Sequence, residues 1–118
     1  MKSIVYWRVL VNSTKESTVK KLLTPLLELL GAGVRIEKQE TYWKDNVLTD
    51  VNISQPIKFQ SFESELIGVL KTSSSISFNW HLTLPEGLSN TTGIVFSGVA
   101  DATSMNGIAW VSFDVLHE

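Results

Sequence analysis

The ten residues Ser75-Ile76-Ser77-Phe78-Asn79-Trp80-His81-Leu82-Thr83-Leu84 alternate polar and apolar without a break. In an extended chain Ile76, Phe78, Trp80, Leu82 and Leu84 share one side, and Ser75, Ser77, Asn79, His81 and Thr83 share the other. One apolar and one wet side is the pattern of an antiparallel sheet that packs on a single face. The stretch predicts a strand over 75–84 and a sheet whose second face stays open to solvent.

Working outward toward the C-terminus, Pro85 to Thr92 reads as a loop. Strands follow at about 94–103 and 108–116, joined through Asn106-Gly107, a dipeptide suited to a two-residue turn with positive φ at both positions. That turn places Gly98 opposite Val115, Ala100 opposite Phe113 and Ala102 opposite Val111, an apolar face on which small residues meet large ones. The other face then pairs Val99 with Asp114, Asp101 with Ser112 and Thr103 with Trp110.

Toward the N-terminus, residues 4–11 are rich in β-branched and aromatic types and predict a first strand with Val5, Trp7, Val9 and Val11 on its apolar side. Ser13 with Glu16 has capping-box spacing. Val19, Leu22, Leu23, Leu26, Leu27 and Leu30 then recur at helical intervals, so a helix should run to about Leu30 and end at Gly31 or Gly33. Pro25 predicts a kink, or a break near Thr24. Residues 34–43 and 47–53 read as a hairpin around Lys44-Asp45-Asn46, and Gln55-Pro56 as the next break. A short helix over 62–72, capped by Ser61, would turn Phe62, Leu66, Val69 and Leu70 inward, although Gly68 weakens it.

The order β-α-β-β-α-β-β-β gives an α+β two-layer sandwich. It comprises a mainly antiparallel sheet of about six strands with one or two helices on one face. A ferredoxin-like or split βαβ arrangement is the nearest common topology. With 118 residues, a single domain spanning 1–118 is expected. No apolar run approaches the ~18 residues of a membrane span. The N-terminus lacks the apolar stretch and cleavage site of a signal peptide, so a cytoplasmic protein is expected. There is no cysteine.

Net charge is −2, unevenly spread: residues 1–35 carry +4 and residues 36–118 carry −6, with no Lys or Arg after Lys71. Nucleic-acid binding needs cations to displace phosphate counterions, so the C-terminal part is ill suited to it and better suited to a basic partner.

Chemical motifs are sparse. There is no metal-ligand spacing, no nucleophile elbow and no glycine loop preceding a helix, so neither a metal nor a cofactor is expected. His117 is penultimate and reads as a loose end. His81 is the one candidate base, with Asp101 or Asp114 to orient it and Arg8 to bind an anionic group. Glu37, Glu40, Asp45, Asp50, Glu63 and Glu65 read as solvated carboxylates. Trp7, Phe78 and Trp80 read as core. Trp110 falls on the polar side of the last hairpin, and Tyr42 and Trp43 sit beside the charged turn Lys44-Asp45. Large aromatics among polar groups are what protein interfaces use as anchors.

In size, acidity and lack of a catalytic constellation the chain resembles bacterial immunity proteins, including those of contact-dependent growth inhibition systems. The resemblance is one of overall character across the whole chain. It implies a protein that binds a toxin, often a nuclease, and blocks it. Candidate contact residues come from the pattern above: Trp110, Asp101, Asp114, Trp43, Asp45 and Thr103. The alternative is a small enzyme or ligand-binding protein working through His81, Asp101 and Asp114 on the same face. Self-association through that face or an edge strand is a third reading.

Overall fold

The computed structural model describes residues 2–84 and 93–117. Its elements follow as β1 (Lys2–Val11), α1 (Glu16–Leu30), β2 (Arg35–Thr41), β3 (Thr49–Lys58), α2 (Phe62–Ser74), β4 (Trp80–Thr83), β5 (Ile94–Ala100) and β6 (Ile108–His117). The six strands make one sheet in the order β2-β3-β1-β6-β5-β4, and every neighbouring pair is antiparallel. Strands β1 and β2 therefore run parallel with β3 between them, and α1 is the crossover of a split βαβ unit. The α+β sandwich expected from the periodicity is the fold observed.

The core lies on one face of the sheet. Val5, Trp7, Val9 and Val11 of β1 are all but fully buried, as are Val51, Ile53, Val111, Phe113 and Val115 from the strands beside it. Val19, Leu23, Leu26 and Leu30 of α1 and Val69 of α2 join the same apolar cluster. Four rings pack tilted or edge-on through its centre: the ring centroids of Trp7 and Trp80 lie 5.3 and 5.2 Å from that of Phe113, and that of Phe96 lies 5.9 Å from it. Both helices are spent on this side, so no described element covers the other face.

Several local expectations change. Ser13 does not cap α1: its hydroxyl accepts from Lys15 N–H, ahead of the helix, at 3.1 Å, and its backbone is used elsewhere. Its N–H bonds Val11 O and its carbonyl accepts the Thr49 hydroxyl at 2.6 Å. The helix starts at Glu16 and runs unbroken through Pro25 to Leu30. Pro25 and Lys21 are both exposed, so the carbonyl that Pro25 cannot serve is left to water. Strand β3 continues past Gln55-Pro56 to Lys58, since β2 begins only opposite Ser54 and β3 is itself an edge beyond that point. Helix α2 forms with Ser61 and Ser64 as a reciprocal cap. Gly68 leaves room for Phe59, because a Cβ there would come within 2.6 Å of its ring unless that ring moved.

The strand predicted over 75–84 forms only as Trp80–Thr83. Helical hydrogen bonding carries on through the serines: Ser75, Ile76 and Ser77 donate back to carbonyls of Thr72 and Ser73. The last partner that β5 offers is Ala100, opposite Trp80, so nothing pairs with the chain before it. Ile76 is buried, but Phe78, predicted as core, is 88% exposed.

The β5–β6 register is also displaced by two residues. Gly98 faces Phe113 and Ala100 faces Val111. Residues 101–107 form a longer loop, so Asp101 and Thr103 have no strand partners. Only Gly107 takes a positive φ (77°), so the two-residue turn with both positions left-handed does not form. The loop is held instead by Thr103 Oγ1 donating to Ile108 O and by Ser77 Oγ donating to Ala102 O at 2.6 Å. A shift of two preserves which side each residue faces. Small opposite large survives: a Cβ on Gly98 would lie 2.5 Å from the Phe113 ring.

Candidate functional site: the uncovered sheet face

Registers across β3, β1, β6, β5 and β4 set the open face in rows. Leu10 stands beside Asp50 and Trp110; Arg8 beside Asn52 and Ser112, continuing to Val99 and His81; Tyr6 beside Ser54 and Asp114, continuing to Ser97 and Thr83. Tyr6 is 43% exposed and Val99 37%, so this polar face also presents apolar area.

Its most ordered feature is Arg8. The guanidinium forks onto Asp50, Nε to Oδ1 at 3.0 Å and Nη2 to Oδ2 at 2.7 Å. That hydrogen bond raises the Arg8 pKa above its ordinary value against the opposing effect of burial. Asp50 is almost wholly buried, whereas the Arg8 side chain keeps 40% of its surface. Tyr42 and Trp110 flank the guanidinium at 5.7 and 5.8 Å from their ring centroids. A planar cation held by a fork between two aromatic faces is fixed before any partner arrives. Asp50, expected to be solvated, is thus the anchor of the cluster.

The β2–β3 turn extends this cluster outward. Asp45 Oδ1 accepts from Val47 N–H at 3.2 Å and its carbonyl from Leu48 N–H at 3.0 Å, which closes the turn. Trp43 is 78% exposed, edge-on to Tyr42, with Lys44 Nζ 5.0 Å from its centroid. Asp45 therefore shapes the turn that presents Trp43.

Asp114 is half-buried between Tyr6 and Ser97. Burial pushes its carboxyl above the usual range, and no described cation or donor offsets this. The folded chain then holds the proton more tightly than the unfolded chain. Ionised Asp114 costs stability above its folded pKa, and the cost vanishes once pH falls below the unfolded value. Asp114→Asn is expected to unfold at a higher temperature than the parent at pH 7, with the two midpoints converging as pH drops through the carboxylate range. Identical midpoints at pH 7 would contradict this.

The remaining candidates are dispersed. Asp101 is exposed in the loop after β5, and Thr103 is engaged in closing that loop. His81 is exposed on β4 opposite Val99, while Asp114 lies on β6, two strands away or roughly 10 Å. Among the described residues His81 bonds to neither carboxylate, so the His–Asp pair of the enzyme reading is not assembled. No three described His, Asp or Glu side chains converge as metal ligands, and no described helix is long and apolar enough to cross a membrane.

One polar cluster lies on the helix side and escaped the sequence reading. Glu65 of α2 is fully buried. It accepts from Ser3 Oγ at 2.8 Å, and His117 Nε2 lies 3.1 and 3.2 Å from its two oxygens. His117 is therefore tied down, and Glu65 is not solvated. The only sequence signal was that Glu65 falls one residue before Leu66 and four before Val69 on an inward-facing stripe.

No family model, curated protein or solved structure matches the chain.

Proposed function

We propose that this chain is a non-catalytic protein-binding module that neutralises a toxin partner, as immunity proteins do, by covering a basic surface with its open sheet face. The observation that carries it is Asp114. A half-buried carboxylate with no described counter-charge is an unfavourable group to keep on a sheet. A partner Lys or Arg docked against it would supply the missing charge, and carboxylates perturbed in this way cluster at functional sites. Elsewhere on the same face, Trp110 and Tyr42 around Arg8, with Trp43 at the adjoining turn, gather the three side-chain types that dominate binding hot spots. Arg8 is already paired with Asp50, so it offers a rigid stacking surface rather than free positive charge, and β4, β5 and β6 bear no Lys or Arg to repel a basic partner.

The test is capture of the partner from the native host, followed by calorimetry and a toxicity rescue assay. Trp110→Ala and Asp114→Asn are each expected to weaken binding by about 30-fold or more, the hot-spot scale. Asp101→Ala, at the rim, should mainly slow association and alter its salt dependence. Unchanged affinity in both Trp110→Ala and Asp114→Asn would remove this face as the binding surface.

A further inference from the structure

The two edges of the sheet are unlike. Strand β2 carries Arg35, Glu37, Lys38 and Glu40 among seven residues, with a register irregularity between Ile36 and Lys38. Lys38 pairs with Glu40 at 3.3 Å along it. Charge and a bulge are the usual defences of an edge against pairing with another chain. Strand β4, Trp80-His81-Leu82-Thr83, has no formal charge, no proline and no bulge. Among the described residues nothing pairs with its outer side. The segment around it exposes Phe78 at 88%, Leu82 at 41% and Leu84 at 42%. These are three of the five apolar members of the alternating stretch 75–84, so the burial which that alternation demands is not met within one chain.

We infer that the outer edge of β4 pairs antiparallel with the same edge of a second copy, about a two-fold axis through His81. With His81 opposite its own symmetry mate, Trp80 falls opposite Leu82 on the helix side, and the exposed Phe78 just before β4 and Leu84 just after it are brought to the same ends of the paired segments. Within β4 apolar Trp80 meets apolar Leu82 and the neutral His81 meets itself, as a two-fold contact between identical segments requires. No Lys, Arg, Asp or Glu occurs in 72–85, so two copies meet without like-charge repulsion. The contact is short, which fits a weak dimer in the micromolar range. It uses an edge distinct from the Arg8–Trp110–Asp114 surface.

Sedimentation of the full chain is expected to show dimers at roughly 100 µM and dissociation on dilution. Phe78→Lys should give monomers, with an unchanged circular dichroism spectrum because that side chain is already exposed. Leu82→Lys should do the same. The chain has no cysteine, so single substitutions report the register. His81→Cys should form an oxidised covalent dimer at least about tenfold faster than Thr83→Cys, since disulfides need Cα atoms within about 7 Å. A strictly monomeric parent chain overturns the inference. So does a dimer that survives Phe78→Lys, or one in which Thr83→Cys cross-links as fast as His81→Cys. Toxin binding by Phe78→Lys stays unaltered, which separates this test from that of the open face.

Discussion

Trp7→Ala is expected to destabilise the chain by about 3–5 kcal/mol, the range for large aromatic truncations in a packed core. Trp7 is 1% exposed and contacts Phe113 and Trp80, so the truncation opens a cavity at the centre of the ring cluster. It also breaks a relay. The indole N–H donates to Gln55 Oε1 at 2.9 Å, and Gln55 Nε2 donates to Leu30 O at 2.9 Å. Leu30 is the last residue of α1, whose final carbonyls have no partner inside the helix. The indole thus orients the amide that ties the end of α1 to β3. Trp7→Phe should recover most of the packing but not the hydrogen bond, leaving a deficit of about 1–2 kcal/mol. Folded domains carry about 5–15 kcal/mol in all, so the alanine variant should show a much lower urea midpoint at an unchanged slope. A loss below about 1 kcal/mol for Trp7→Ala would mean that the core does not depend on this ring.

The second large effect is asymmetric. His117→Ala is expected to cost about 1–3 kcal/mol at pH 7, because among the described residues it leaves the fully buried Glu65 carboxylate with Ser3 as its one remaining side-chain partner. Glu65→Leu should cost less than His117→Ala, or even stabilise. It removes the buried charge itself and leaves behind a hydroxyl and a histidine that is 35% exposed. Urea unfolding of both variants and of the double variant decides the matter. The double variant should resemble Glu65→Leu, since the histidine has nothing to compensate once the carboxylate is gone. If Glu65→Leu proves the more damaging, the cluster is held by packing rather than by pairing of a buried charge.

Much of the candidate site was legible in outline. Trp110 and Asp114 were assigned to the polar side of the last strand, and they lie there despite the shifted register, because a displacement of two leaves faces unchanged. Tyr42 and Trp43 were marked by their setting beside a charged turn. The fork between Arg8 and Asp50 was not legible, since 42 residues separate them and only the β1–β3 register brings them together. Ser3 and His117, from opposite ends of the chain, meet Glu65 from its middle for the same kind of reason.

What the sequence determined by itself is whatever depends on neighbours a few residues away. It settled the order of strands and helices, which side of β1 and β6 is apolar, the Ser61 cap, and hence a sheet with one face covered and one bare. Where a segment could satisfy its backbone in two ways, the tertiary structure decided. Residues 75–77 continue the hydrogen bonding of α2, and the strand starts only at Trp80 because β5 ends before it could pair with earlier residues. The 101–107 loop lengthens because Ile76 and Ser77 give it backbone and side-chain partners. Strand order, register and the pairing of distant charges follow from which contacts close simultaneously across the whole sheet, and no local window of residues contains that information.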